Sequence, residues 1–156
     1  FTNLFKKKYK MYLVKKITSK ESKKCHEIDL ITIKLWNHKQ WEKELRKNYV
    51  YAFACFRNHQ IIGICVFQKI FCNAELTYLS IHPTFKRRGL GKKLLKETFK
   101  QCERFAIEKI NLEVSDKNLD AVNFYRSFGF ETIGIRKKYY KDGSNALLQE
   151  KKLLKK

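Results

Sequence analysis

The stretch Leu76-Thr77-Tyr78-Leu79-Ser80-Ile81-His82-Pro83-Thr84-Phe85-Lys86-Arg87-Arg88-Gly89-Leu90-Gly91 decides the fold. Residues 74–81 read as an extended run that stops at His82-Pro83, because proline has no N–H to continue a ladder. Beyond the proline, two glycines let the backbone turn tightly and present successive N–H groups at a helix N-terminus, with Lys86, Arg87, Arg88, Lys92 and Lys93 around them. A pyrophosphate fits that cradle, and so does the plainer reading of a strand-to-helix turn with solvated bases. No Ser or Thr follows Lys92 and the glycine spacing departs from G-x-G-x-x-G, which excludes a Walker loop and a dinucleotide fingerprint.

Downstream the period becomes helical, with Leu94, Leu95, Phe99, Cys102, Phe105 and Ala106 opposite Lys92, Lys93, Lys96, Glu97, Lys100 and Glu103. Residues 110–114 alternate, Ile110, Leu112 and Val114 against Asn111 and Glu113, as a half-buried strand does. Asn118 caps a helix whose stripe is Ala121, Phe124 or Tyr125, and Phe128, closed by Gly129. Two last strands, about 131–140 and 146–153, surround the turn signal Asp142-Gly143. Upstream, 49–56 and 61–70 flank Asn58-His59 as a hairpin. Before them, Asn37 caps a helix over 38–47 carrying Trp41 and Leu45, and a helical spacing over 21–35 places Cys25, Ile28, Ile31 or Thr32, and Leu35 together. Alternation of Tyr9, Met11 and Leu13 against Lys8, Lys10 and Tyr12 predicts a first strand within 9–17. The expectation is a helix-decorated, mostly antiparallel sheet.

The 156 residues suit one domain spanning 1–156, and 44% apolar residues rule out a wholly disordered basic tail. No apolar run approaches the roughly 18 to 20 residues of a spanning helix. Thirty-five Lys+Arg against 15 Asp+Glu leave a net charge of +20, which suits polyanions such as a phosphorylated cofactor, RNA or an anionic membrane face, or simply solvated lysines. Residues 1–20 hold seven lysines and no acid, the composition of an organelle-targeting segment, confined to 1–10, as much as of a basic first strand. Cys25, Cys55, Cys65, Cys72 and Cys102 form no C-x-x-C pair, so reduced core thiols are expected and no metal is. His26, His38, His59 and His82 share no ligand spacing and read as structural.

Leu76 to Gly91, Leu112-Glu113-Val114, Asn118, the run Asn123-Phe124-Tyr125-Arg126-Ser127-Phe128-Gly129-Phe130 and Lys138-Tyr139-Tyr140 follow one another in an order that resembles the GNAT (Gcn5-related) acetyltransferase superfamily. Within it the chain is most similar to protein N-terminal acetyltransferases of the ribosomal-protein-alanine type and their eukaryotic relatives, over residues 60–153. The resemblance implies an α/β (α+β) fold: a mixed, mostly antiparallel sheet of about six to seven strands, about four helices, and a splayed parallel pair that binds acetyl-CoA.

It also implies roles. The backbone of Leu79, Ser80 and Ile81 would pair with the pantetheine arm, the Ile81 N–H facing the thioester oxygen. The N–H groups of Arg87, Arg88, Gly89, Leu90, Gly91 and Lys92 would hold the pyrophosphate, Lys86 standing where the family usually has Gln or Arg, and Asn118 would contact the cofactor. Glu113 matches the family's base and Tyr125 the tyrosine that protonates the departing thiolate. Taken alone, each also reads plainly, as an exposed strand acid and a core aromatic. Tyr139 and Tyr140 would wall the acceptor, and Glu75 either assists deprotonation or is an exposed acid. Direct aminolysis needs no nucleophile from the protein, and none is assigned to a cysteine. The expected acceptor is a protein or peptide N-terminus, with the ribosome or an auxiliary subunit as further partners, in the cytoplasm or an organelle, and with no specific nucleic acid and no membrane span. A small-molecule amine or a Lys side chain is the alternative acceptor. A non-catalytic basic RNA-binding or scaffold protein is the alternative outside enzymes.

Overall fold

The computed structural model describes residues 11–153, so the targeting reading of residues 1–10 lies outside the described residues. Strands β1 (Leu13–Ile17), β2 (Val50–Arg57), β3 (Gln60–Ile70), β4 (Asn73–Ile81), β5 (Lys109–Ser115), β6 (Glu131–Arg136) and β7 (Ala146–Lys152) form one sheet in the order β1-β2-β3-β4-β5-β7-β6. Every neighbouring pair is antiparallel except β4–β5. Four α-helices accompany it: α1 (Ser22–Asp29), α2 (His38–Arg46), α3 (Leu90–Arg104) and α4 (Leu119–Ser127). The mixed, mostly antiparallel sheet and its four helices are those expected. The parallel pair follows from connectivity, because parallel neighbours need a long crossover and α3 is that crossover.

Each face of the sheet has its own core. On one, Leu94, Leu95 and Cys102 of α3 and Val122 of α4 pack on Ile62, Phe67, Leu76, Ile110 and Leu112. On the other, Cys25 and Ile28 of α1 and Trp41 of α2 pack on Ala52, Ile64, Val66 and Tyr78. Alternation in β5 sends Ile110, Leu112 and Val114 into the α3/α4 core and turns Asn111 and Glu113 to the opposite face. Asn37 caps α2 in a box with Gln40, and Asn58, at φ +55°, makes the β2–β3 turn, both at the expected places.

Three local expectations change. The helix expected over 21–35 ends at Asp29, leaving Ile31 and Leu35 exposed. The Asp29 carboxylate is fully buried and accepts from the N–H groups of Leu35 (3.1 Å) and Trp36 (2.8 Å), Trp41 Nε1 (3.1 Å) and Tyr78 Oη (2.8 Å). Those bonds fold the chain back on itself, and a continued helix could not supply them. In β1 the faces are reversed: Tyr12 and Val14 pack on the α3/α4 core while Met11 and Leu13 are exposed. Tyr12 is drawn inward by an edge-on contact with Phe85 (6.4 Å) and by the Arg88 guanidinium. Strand β6 stops at Arg136 rather than 140, because Lys138 turns left-handed and its N–H is taken by Asn145 Oδ1 (3.0 Å).

All five cysteines are free, Cys72 alone being exposed. Burial pushes the Cys25, Cys65 and Cys102 thiols up to about 12, far from a thiolate at neutral pH. No helix of the described residues is long and apolar enough to cross a membrane.

Candidate active site

Strands β4 and β5 pair only at Asn73–Lys109, Ala74–Ile110 and Glu75–Asn111, and then diverge. The β3–β4 register shows which backbone groups of β4 face the gap. The His82 N–H donates to Ile62 O (2.7 Å), and Ile64 opposes Ser80, so the Ser80 backbone is also turned toward β3. By alternation the N–H and C=O of Leu79 and Ile81 point into the gap. Ser80 contributes differently, its Oγ donating to Tyr78 Oη (3.1 Å) on the α1/α2 face. Gly63 of β3 leaves room for this arrangement, since a Cβ there would lie 2.7 Å from Ile81 Cδ1 and 3.1 Å from Leu94 Cδ1.

The anion loop follows a short 3-10 turn, Pro83–Phe85, capped by His82. Arg87 (φ +62°) and Gly89 (φ +75°) are left-handed, a backbone that turns neighbouring N–H groups to one side. The first α3 bond runs from the Lys93 N–H to Gly89 O (3.1 Å), so the N–H groups of Leu90, Gly91 and Lys92 have no partner within the helix and lie at its positive end. A Cβ on Gly89 would meet nothing within 4 Å, and one on Gly91 only Phe124 at 3.4 Å, so the loop is open to a bound phosphate. Lys86, Arg87 and Lys92 surround it. The Arg88 guanidinium is engaged elsewhere, donating to Tyr12 Oη (2.6 Å) over the Phe85 ring (5.1 Å), and Arg88 can serve the loop through its backbone alone. Asn118 Oδ1 caps α4 by accepting from the Ala121 N–H (3.2 Å).

Glu113 and Tyr125 lie on opposite sides of the sheet. Glu113, half-buried on β5, faces the α1/α2 side and pairs with Arg136 Nη2 at 3.4 Å. Tyr125, on α4, packs against the α3/α4 core between Phe124 (5.4 Å) and Phe130 (5.6 Å). Burial, with a smaller push from the neighbouring Cys65, raises its phenol well above the ordinary tyrosine range. Cys65 is the register partner of Leu79, so that neighbourhood puts Tyr125 beside the middle of β4. On the Glu113 side a cavity of about 260 Å³ is lined by Glu75, Asn111, Glu113, Arg136 and Gln149 among others. Tyr140 lies near it: its phenol is raised by burial first and by the Glu113 charge second. Tyr139 meets Tyr140 edge-on at 5.1 Å and covers the Arg136 guanidinium at 5.6 Å. The loop carrying both tyrosines is tied to the end of β5, where Asp116 accepts from the Asn145 N–H (3.1 Å) and Nδ2 (2.8 Å).

Arg136, Asn111, Gln149 and the Asp116–Asn145 clamp are not singled out by the sequence. Asn111 had a signal, as the polar partner of Glu113 in the alternation of β5. The others meet the site only because β7 inserts between β5 and β6.

This geometry can hold an anionic, arm-like donor between two strands with an acid on one side and a base on the other. A match to the Acetyltransferase (GNAT) family spans residues 14–130. The chain belongs to this family of acetyltransferases. The family uses acetyl-CoA, and the open gap and unpartnered helix N-terminus fit such a molecule. The chain is 28% identical over 105 residues, 67% of this chain and 70% of the other, to the [ribosomal protein bS18]-alanine N-acetyltransferase of Escherichia coli K12. The crystal structure of the ribosomal-protein-S18-alanine N-acetyltransferase from Escherichia coli superposes with a TM-score of 0.87 at 22% identity, covering 94% of this chain and 96% of that one. A PaiA N-acetyltransferase from Thermoplasma acidophilum, solved with coenzyme A, gives 0.68 at 19% identity over 91% and 99%. At such identities the superpositions establish the fold.

Proposed function

We propose that the chain, as one catalytic domain in the cytoplasm, transfers acetyl from acetyl-CoA to the N-terminal α-amine of a protein or peptide by direct attack in a ternary complex. The observation that carries this reading is the placement of Glu113 and Tyr125 on opposite sides of the β4–β5 gap. In aminolysis the amine enters on one side of the carbonyl and the thiolate leaves toward the other, so a base and a donor are wanted on opposite sides. Acetyl-CoA supplies the activated thioester. The Ile81 N–H, directed into the gap, donates to the carbonyl oxygen as negative charge builds there. The N–H groups of Leu90, Gly91 and Lys92, with Lys86, Arg87 and Lys92 side chains, hold the phosphates.

Glu113 takes the proton that an α-ammonium must lose, directly or through one water. That is a modest task, because the α-amine has a pKa of about 7.7 to 8.0. Tyr125 donates from its phenol to the departing sulfur, and burial keeps that phenol protonated. The balance is one C–N bond formed, one C–S bond broken, and one proton moved from nitrogen to sulfur with a second released at Glu113. Tyr139 and Tyr140 wall the acceptor. The relatives' names point to a ribosomal protein as the acceptor class, and the +20 charge suits work near RNA.

The test is acetylation of a peptide by Glu113→Gln and Tyr125→Phe. Each is expected to lower kcat by roughly 10²- to 10⁴-fold while acetyl-CoA still binds. Unchanged kcat in either variant removes that residue from the mechanism.

A further inference from the structure

We propose that the cavity beside Glu113 receives a basic side chain of the acceptor, contributed by its first or second residue; the proposal rests on the α-amine reading above. The polar lining of this cavity of about 260 Å³ is dominated by acceptors: the carboxylates of Glu75 and Glu113 and the amides of Asn111 and Gln149. Asn111 Oδ1 and Gln149 Oε1 are buried with no hydrogen-bond partner, and Gln149 is only 1% exposed. The Gln149 Nε2 donates to Thr132 Oγ1 (3.0 Å), which leaves its oxygen as the orphan. Glu75 uses Oε2 to accept from Gln68 Nε2 (2.6 Å), leaving Oε1. A buried acceptor without a donor costs free energy, and a ligand rich in N–H groups and poor in acceptors relieves several at once. A guanidinium brings five N–H donors and an ammonium three.

Arg136 already shows that the site accepts such a group. Its guanidinium lies 3.4 Å from Glu113 with the side chain 55% exposed, a loose contact that an incoming cation can replace. Ile70 and Leu148 on the walls suit the methylene stem of a long basic side chain. The surrounding chain carries a net +20, so two carboxylates and two orphan oxygens in one cavity mark a local reversal of the molecule's field.

The test titrates Ala-Arg-Ala, Arg-Ala-Ala and Ala-Ala-Ala amides into the CoA-bound protein by calorimetry and then assays each for acetylation. One arginine peptide is expected to bind about tenfold tighter than Ala-Ala-Ala, which also assigns the position. Glu75→Gln should shrink that advantage and Asn111→Asp should enlarge it, a gain that misfolding cannot mimic. Equal binding of the three peptides, or an arginine advantage unmoved by both substitutions, overturns the proposal. Preferential arginine binding without acetyl transfer upholds the cation site and defeats the transferase reading. Transfer without arginine preference does the reverse.

Discussion

Tyr125 stands among Phe124, Phe130 and a buried thiol, and this setting gives its hydroxyl a pH behaviour unlike that of a surface tyrosine. Because burial raises the phenol, the protonated donor persists to higher pH. The rate should therefore rise as the acceptor amine loses its proton near pH 8 and stay level through about pH 10, where an ordinary tyrosine ionises. A falling limb centred near pH 10 in stopped assays would contradict this environment. Glu113 was legible in the sequence from alternation and from its motif. Its partner Arg136 was not, because the two strands that carry them are separated in the sheet by β7, a neighbour relation that no local pattern encodes. Gln149 was hidden for the same reason, since a lone glutamine in an apolar strand carries no sign of what it faces.

The short helix α1 and the segment after it are organised by one carboxylate. Burial alone would raise the Asp29 carboxyl, but hydrogen bonds from Trp36, Tyr78, Leu35 and Trp41 outweigh it and hold the group below the usual carboxylate range. Its stabilising contribution is therefore complete above the unfolded value of about 3.9 and is lost as pH falls through the lower folded value. Asp29→Asn should destabilise by on the order of 3 kcal/mol at neutral pH, read by urea unfolding, and the difference from wild type should shrink below about pH 4. A constant difference across that range would show that the carboxylate's charge is not what matters. The periodicity over 21–35 concealed this, because apolar spacing continues past Asp29 while the chain does not. The anion loop was far more legible, since glycine and proline mark backbone requirements directly. Gly89 is left-handed, so Gly89→Ala should cost about 1 to 2 kcal/mol and weaken CoA binding in calorimetry even though no side chain blocks the new methyl. Unaltered CoA affinity would detach the loop from phosphate binding.

Across the whole molecule, the sheet order and the parallel pair were legible because a strand, a glycine loop, a helix and a second strand in succession permit few arrangements. The reversed faces of β1 were not, because an edge strand is in contact with both cores and a few alternating residues cannot choose between them. Net charge acts at this scale too. With +20 overall and Lys86, Arg87 and Lys92 at the loop, KM for acetyl-CoA should rise several-fold as salt is raised from about 0.1 M to about 1 M, where the screening length falls from about 10 Å to about 3 Å. Salt-independent KM would place the phosphates away from that loop.

The most direct measurement uses a peptide with both a free N-terminus and an internal lysine, incubated with acetyl-CoA and the protein and mapped by fragment mass spectrometry. The account predicts acetyl on the α-amine alone, and none on the same peptide once its N-terminus is blocked. Acetyl on the lysine, or transfer that ignores the block, would contradict it.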